Sequence, residues 1–382
     1  MLRRYNHIQG HVHIIFKRVF QREREIALNI LFVYYVPSGG VETLARQRAL
    51  ALKPHGITFH YLYFQDGNGR QNLQNEKVFI TKDREQVGHI LEEGRYDLVI
   101  VCSDFLWTRT IRELGYTGPL LYECQGLGNF ETAKHWLTVA KPILEKHASG
   151  ILIPKTPHLE RIVTELYEHT PIFAFHNCLD TTTFSYKDTR MFHKTPIIGW
   201  VGRIEGNKNW TEFLAIVRLL KRSKQNIRIW MFEDPSLSQE AERRQFEALL
   251  DIYRLRDSCT FFSNVSHHEM PRYYSQIADS GGFLCSTSKV EGFGYAVLEA
   301  MSCSCPVLVT NSDGVQAFVT HNRTGKMYPL GDVRKAVEEA THILDDTLFR
   351  ERIRKTGEQF IRNVFSPEKY AQHFQNMVHD LL

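Results

Sequence analysis

The chain has 382 residues, 43% of them hydrophobic and 24% charged, enough for two independent cores and ordinary for a globular protein. Its 47 Lys and Arg against 43 Asp and Glu leave a net charge of +4, too weak a basic balance for a dedicated nucleic-acid binder. No run of about 18 apolar residues occurs, so no membrane-spanning helix is expected. The seven cysteines are scattered and odd in number, and Cys303 and Cys305 stand too close for the usual zinc knuckle. They read as reduced core thiols of a cytosolic protein, with no metal site.

Residues 1–26 form a basic extension. Arg3, Arg4, Lys17, Arg18, Arg22 and Arg24 face only Glu23 and Glu25, with Ile14, Ile15, Phe16, Val19 and Phe20 between them. The apolar stretch is too short and too interrupted for a secretory signal. It reads as a surface helix, or as an amphipathic helix on anionic lipid, which makes residues 1–25 a candidate for peripheral membrane contact.

From residue 26 a regular alternation begins. Ile26–Val36 predicts a strand, Pro37-Ser38-Gly39-Gly40 a turn and Glu42–Leu52 a helix. Strands are then expected at Thr58–Phe64, Leu98–Cys102, Leu120–Glu123 and Gly150–Ile153, with helices between them, among them Arg84–Glu93. Short apolar strands alternating with helices predict a parallel sheet covered on both faces. Polar residues and threonines at 181–194 mark a linker. A second series follows, with strands at Ile197–Val201, Ile227–Phe232, Thr260–Phe262, Gly282–Cys285 and Pro306–Thr310. Helices are expected at Trp210–Leu220, Ala241–Leu250, His268–Ser275 and Tyr295–Met301, and Val333–Leu382 is mostly helical. The expected fold is α/β, two doubly wound Rossmann-like domains facing a cleft. The domains are 27–185 and 186–365, followed by a C-terminal helix at 366–382 packing back on the first domain. Ligands of such sheets sit at the carboxyl ends of the strands.

The chemistry concentrates in Ser286–Cys303. A strand ends, a polar loop carries Glu291-Gly292-Phe293-Gly294, and a helix begins. The glycines let backbone approach a ligand, and the unpaired amides of the first helical turn favour an anion. Two carboxylates, Glu291 and Glu299, flank this phosphate seat, and carboxylates accept hydrogen bonds from sugar hydroxyls. Taken alone, the segment reads more readily as an ordinary glycine turn with Glu299 on a wet helix face.

In order along the chain, several segments resemble the retaining family-4 (group 1) glycosyltransferases of the GT-B fold. These are Ser38-Gly39-Gly40-Val41-Glu42, Asn177-Cys178-Leu179-Asp180, Val201-Gly202-Arg203-Ile204 with Lys208, His267–Ser275, the Glu-x7-Glu of Glu291 and Glu299, Asp313-Gly314-Val315 and Asn322-Arg323-Thr324-Gly325. The resemblance implies that Glu291 binds hydroxyls of the transferred sugar and Glu299 the ribose. It implies that Arg203 and Lys208 hold the diphosphate, and that Gly39, Gly40, Gly292, Phe293 and Gly294 line the donor site. It implies a nucleoside-diphosphate sugar as co-substrate, no further cofactor, no metal, and a glycan or lipid-linked acceptor. Work in the cytoplasm or at the inner membrane face follows from the same reading.

Three departures stand out. Met231-Phe232-Glu233-Asp234-Pro235 replaces a glycine-rich turn, Cys178 replaces the hinge glycine, and Tyr122–Gly128 lacks the usual histidine, leaving Glu123 and Gln125 as candidates for the acceptor side. A glycoside hydrolase also needs two carboxylates but has no use for an anion seat with Arg203 and Lys208. A sugar-nucleotide epimerase, or a non-catalytic sugar-nucleotide-binding protein, are the other readings of the same architecture.

Overall fold

A computed structural model describes residues 27–73, 76–189, 195–224 and 226–382. The basic extension and its membrane contact lie outside the described residues. Two parallel sheets account for the strands. The first has the order β3-β2-β1-β4-β5-β6-β7. Its strands are β1 (Leu28–Tyr34), β2 (Ile57–Tyr63), β3 (Lys77–Ile80), β4 (Leu98–Cys102), β5 (Leu120–Glu123), β6 (Gly150–Ile153) and β7 (Ile172–Ala174). The second has the order β10-β9-β8-β11-β12-β13. Its strands are β8 (Ile197–Val201), β9 (Arg228–Glu233), β10 (Cys259–Ser263), β11 (Phe283–Ser286), β12 (Val307–Thr310) and β13 (Lys326–Tyr328).

The central strands are continuous apolar runs because helices cover both faces. β1 buries Ile30, Phe32, Leu31 and Val33, the first two against one layer of helices and the others against the opposite layer. β8 does the same with Ile197 on one side and Ile198 and Trp200 on the other. β3, β7 and β13 were not expected from the sequence. All three are sheet edges of three or four residues, too short for a clear apolar pattern. The expected helix His268–Ser275 runs instead from Met270 to Asp279, with Pro271 in its first turn, where its missing N–H costs nothing.

Strand order reverses between β1 and β4 in the first sheet and between β8 and β11 in the second. Each reversal opens a crevice at the carboxyl ends of the strands, the general ligand position in open α/β sheets. The crevices are bordered by Gly39-Gly40 after β1, Arg203 after β8, and Glu291–Gly294 after β11.

The long C-terminal run is three helices. Val333–Asp345 and Thr347–Val364 cover the second sheet, with Ala336, Ile343 and Ile353 in its core. The Asp346 carboxylate between them accepts from Phe349 N, satisfying one orphan amide of the new helix. After Ser366-Pro367 the chain crosses back. Pro367–Leu381 packs Tyr370, Phe374, Met377 and Val378 into the core that holds Phe32, Phe59 and Tyr61 of the first sheet. All seven thiols are free, and six are buried. Burial pushes Cys124, Cys178 and Cys305 up to about 12, so they are inert thiols at neutral pH.

Candidate active site

The loop after β11 is built around close backbone approaches. Gly294 caps the helix Tyr295–Ser302 at φ +87, a conformation costly to any side chain. A Cβ at Gly314 would lie 2.4 Å from the Glu291 carbonyl, and Gly314 N donates to that carbonyl at 3.1 Å. The Asp313-Gly314 turn is therefore the back wall of the Glu291–Gly294 loop. In front, a Cβ at Gly292 would lie 2.2 Å from Gln125 O of the first domain. The two domains thus meet backbone to backbone at Gly292.

The charged groups converge on the same loop. Lys208 Nζ donates to Glu291 Oε1 at 2.6 Å, and Ser288 Oγ donates to the same oxygen at 2.6 Å. The segment carrying Lys208 is stitched to the loop by Thr287 Oγ1 to Lys208 O at 2.9 Å and Lys289 N to Asn207 O at 2.8 Å. Arg203 is half exposed, 3.1 Å from Glu205. Its charge acts on the phenol of Tyr34 at the end of β1, which burial nonetheless raises well above the ordinary tyrosine range. Gly40 faces Tyr295, whose ring edge would lie 3.8 Å from a Cβ there. The N-terminal ends of the helices Gly39–Leu52 and Tyr295–Ser302 therefore approach each other across the cleft. Their unpaired amides and dipoles favour an anion between them. Glu291, Gly292 and Gly294 share one loop, to which Lys208 is bonded, Gly40 faces it through Tyr295, with Gly39 beside it, and Arg203 stands just after the neighbouring strand β8.

Other expected residues take different roles. The Phe293 ring is buried against Tyr295, Phe318 and Phe365, with centroids 5.0, 5.6 and 5.8 Å away. It anchors the loop through its ring. Glu123, a candidate for the acceptor side, lies in the core of the first domain. It is fully buried, both oxygens held by the Arg48 guanidinium, with Gln125 donating to Oε1 at 2.7 Å. Arg48, also fully buried, donates to Tyr370 OH at 2.6 Å. Gln125 is half-buried, accepts from Asn177 at 2.7 Å and presents its carbonyl to Gly292. Asp180 accepts from Thr182 N at 2.9 Å and Thr183 N at 3.1 Å, a turn that shapes the chain between the domains.

Glu299 is buried, as a group on the inner face of its helix must be. It accepts from His267 Nε2 at 2.7 Å and from Tyr274 OH at 3.1 Å. His267 in turn meets Arg46 of the first domain, which pairs with Glu42 at 3.2 Å. Burial raises the Glu42 carboxyl, Arg46 and His267 oppose this, and Glu299 adds to it. Glu42, His267 and Glu299 each lay in a sequence motif, whereas Arg46 carried no signal of its own beyond its i, i+4 spacing from Glu42. The glycine-free loop after β9 is also committed. Arg243 holds both oxygens of Glu233, and Asn68 of the first domain donates to Asp234 at 2.7 Å and Ser236 at 2.9 Å. Among the described residues no group of three or more His, Cys, Asp or Glu is placed to hold a metal ion.

Residues 182–360 match the model of the family described as "Glycosyl transferases group 1". The matched segment is the second domain, which is therefore similar to group 1 glycosyltransferases. The chain is 21% identical over 210 residues to the capsular polysaccharide biosynthesis glycosyltransferase CapM of Staphylococcus aureus, covering 53% of this chain and 51% of CapM. It therefore spans about half the length of that curated relative. Among solved structures, sucrose-phosphate synthase from Thermosynechococcus elongatus superposes with a TM-score of 0.77 at 19% identity, covering 93% of this chain and 99% of that one. Anabaena HepE, solved in complex with UDP and glucose, superposes with a TM-score of 0.78 at 16% identity, covering 93% and 100%. These likenesses establish the fold: two facing Rossmann-like domains in the GT-B arrangement.

Proposed function

We propose that this protein transfers a sugar from a nucleoside-diphosphate sugar to a hydroxyl acceptor, with retention of anomeric configuration and without a metal ion. The reading is carried by one observation. The Lys208–Glu291 pair, at 2.6 Å, stands at the mouth of a helix N-terminus at the switch point of the second sheet. A cation, a carboxylate and unpaired amides at one spot fit a ligand with both phosphates and hydroxyls.

In this reading Glu291 accepts from hydroxyls of the transferred sugar, and Glu299 from the ribose. Arg203 and Lys208 balance the diphosphate and the charge that develops as it leaves. The glycine loops at Gly39-Gly40 and Gly292–Gly294 bring backbone amides to the same phosphates. The acceptor oxygen attacks the anomeric carbon from the face of the leaving group. The bond to the phosphate oxygen breaks as the new glycosidic bond forms, and the departing phosphate takes the hydroxyl proton. No side chain serves as nucleophile.

The likeness to HepE, solved with UDP and glucose, supports a uridine nucleotide as the first donor to test. The likeness to CapM supports a cell-surface glycan or lipid-linked acceptor. Work in the cytoplasm or at the inner membrane face suits such an acceptor, with residues 1–25 as the membrane contact. No described helix is long and apolar enough to cross a membrane. The test is turnover of Glu291→Ala and Lys208→Ala with a sugar donor found by thermal-shift screening. Each loses about 100- to 1,000-fold in kcat, the scale of removing one group that stabilises developing charge, with the melting temperature kept. Normal turnover by either variant refutes the assignment.

A further inference from the structure

Glu299 ends a chain of side chains that starts in the other domain. Glu42 and Arg46 lie one turn apart on the helix Gly39–Leu52. Arg46 Nη2 lies 2.8 Å from His267 Nδ1, and His267 Nε2 lies 2.7 Å from Glu299 Oε1. Tyr274 OH takes the other oxygen of Glu299. The partners fix the state of the imidazole. A guanidinium only donates, so Nδ1 must accept from Arg46, and the ring proton sits on Nε2, where it is donated to Glu299. Phe184, within the linker segment, packs on the same ring with centroids 4.5 Å apart.

Arg46 is the first-domain member that fixes the ring in place, because its donation to Nδ1 holds the imidazole with Nε2–H aimed at Glu299. Without it, only Glu299 holds the imidazole, and ring and carboxylate are free to turn together. With it, Glu299 is held by two donors and keeps two of about four acceptor positions open, the number a vicinal diol requires. We propose that Arg46 and His267 are positioning residues that aim Glu299 at the donor's ribose, so that closing the cleft and gripping the ribose hydroxyls are one event. The proposal rests on the reading of Glu299 as the ribose carboxylate.

The test measures binding of UDP, GDP and ADP by calorimetry, each beside its 2′-deoxy and 3′-deoxy counterparts. Wild type binds the best ribonucleotide about tenfold tighter than at least one deoxy form, as loss of one hydrogen bond to a charged group requires. Glu299→Gln removes that preference. Arg46→Gln and His267→Phe cut it to about twofold or less by the same reasoning, and Arg46→Lys, which still donates to Nδ1, restores part of it. A purely structural role would weaken ribo and deoxy forms alike. Full preference in Arg46→Gln, with the preference lost in Glu299→Gln, overturns the relay and leaves the ribose reading standing. Wild type without a preference, or binding none of the three nucleotides, overturns both. If Arg46→Gln does not fold, His267→Phe against Arg46→Lys decides the same question.

Discussion

The residue that most constrains this cleft has no side chain. Gly292 lies where a Cβ would come within 2.2 Å of the Gln125 carbonyl, and a Cβ at the facing Gly126, with φ +151, would lie 3.1 Å from Gly292 Cα. Gly292→Ala therefore forces the first-domain loop away from the donor loop. Because displacements near 1 Å at a reacting centre cost about 100-fold, kcat/KM should fall on that order. The melting temperature should change little, since Gly292 sits at the interface between domains and outside both cores. Kinetics on that variant beside a thermal melt check both halves, and retained activity would show that the domains need not meet there. At this same scale the sequence offered Glu123 as a candidate without any sign of its partner. A carboxylate at a strand end beside a glycine loop looks like a site residue, and only the fold puts Arg48 against it.

At the scale of elements, the helix Gly39–Leu52 does two jobs. Its start faces the anion seat, and its middle carries Arg48 into the core over the rings of Phe32, Tyr370 and Phe374. Glu123→Leu leaves that guanidinium uncompensated and should cost about 3–5 kcal/mol in urea unfolding. The double variant Arg48→Met with Glu123→Leu should recover most of the loss, because two buried charges and their desolvation disappear together. A double variant as unstable as the single one would refute this account. The helix Pro367–Leu381 closes the same core. Phe374→Ala empties a fully buried aromatic site and should destabilise the first domain by about 3–5 kcal/mol. Chemical unfolding followed by fluorescence measures it, and a loss below about 1 kcal/mol would mean the helix is not part of that core.

For the whole molecule the crossing segments matter most. His176, between β7 and the turn at Asp180, is half-buried against Phe365, with its Nδ1 buried and unpaired. Burial, helped by Lys155 and His373, lowers it from 6.5 to about 4. Between those values the unfolded chain binds the proton and the folded chain does not, so stability rises with pH across that window. It is complete above about pH 6.5 and is lost as pH falls toward about 4. His176→Gln should flatten the melting temperature between pH 6.5 and pH 4 relative to wild type. An unchanged slope would place the acid sensitivity elsewhere.

By itself the sequence determined the local periodicities and the chain-order motifs. Central strands flanked by helices, glycine turns at strand ends and the Glu-x7-Glu spacing are written within short windows, because side-chain direction repeats every 2 or 3.6 residues. They were enough for two doubly wound domains, and they marked Glu291, Lys208 and Arg203 as candidates after the strands β11 and β8, which the fold makes neighbours. The edge strands escaped because three or four residues hold too little pattern. What only the tertiary structure decided are contacts across long separations. Arg46 and His267 are 221 positions apart, Arg48 and Tyr370 are 322, and Gly126 meets Gly292 across the cleft. Those pairs depend on how two independently patterned domains are set against each other, and no periodicity within either one encodes that.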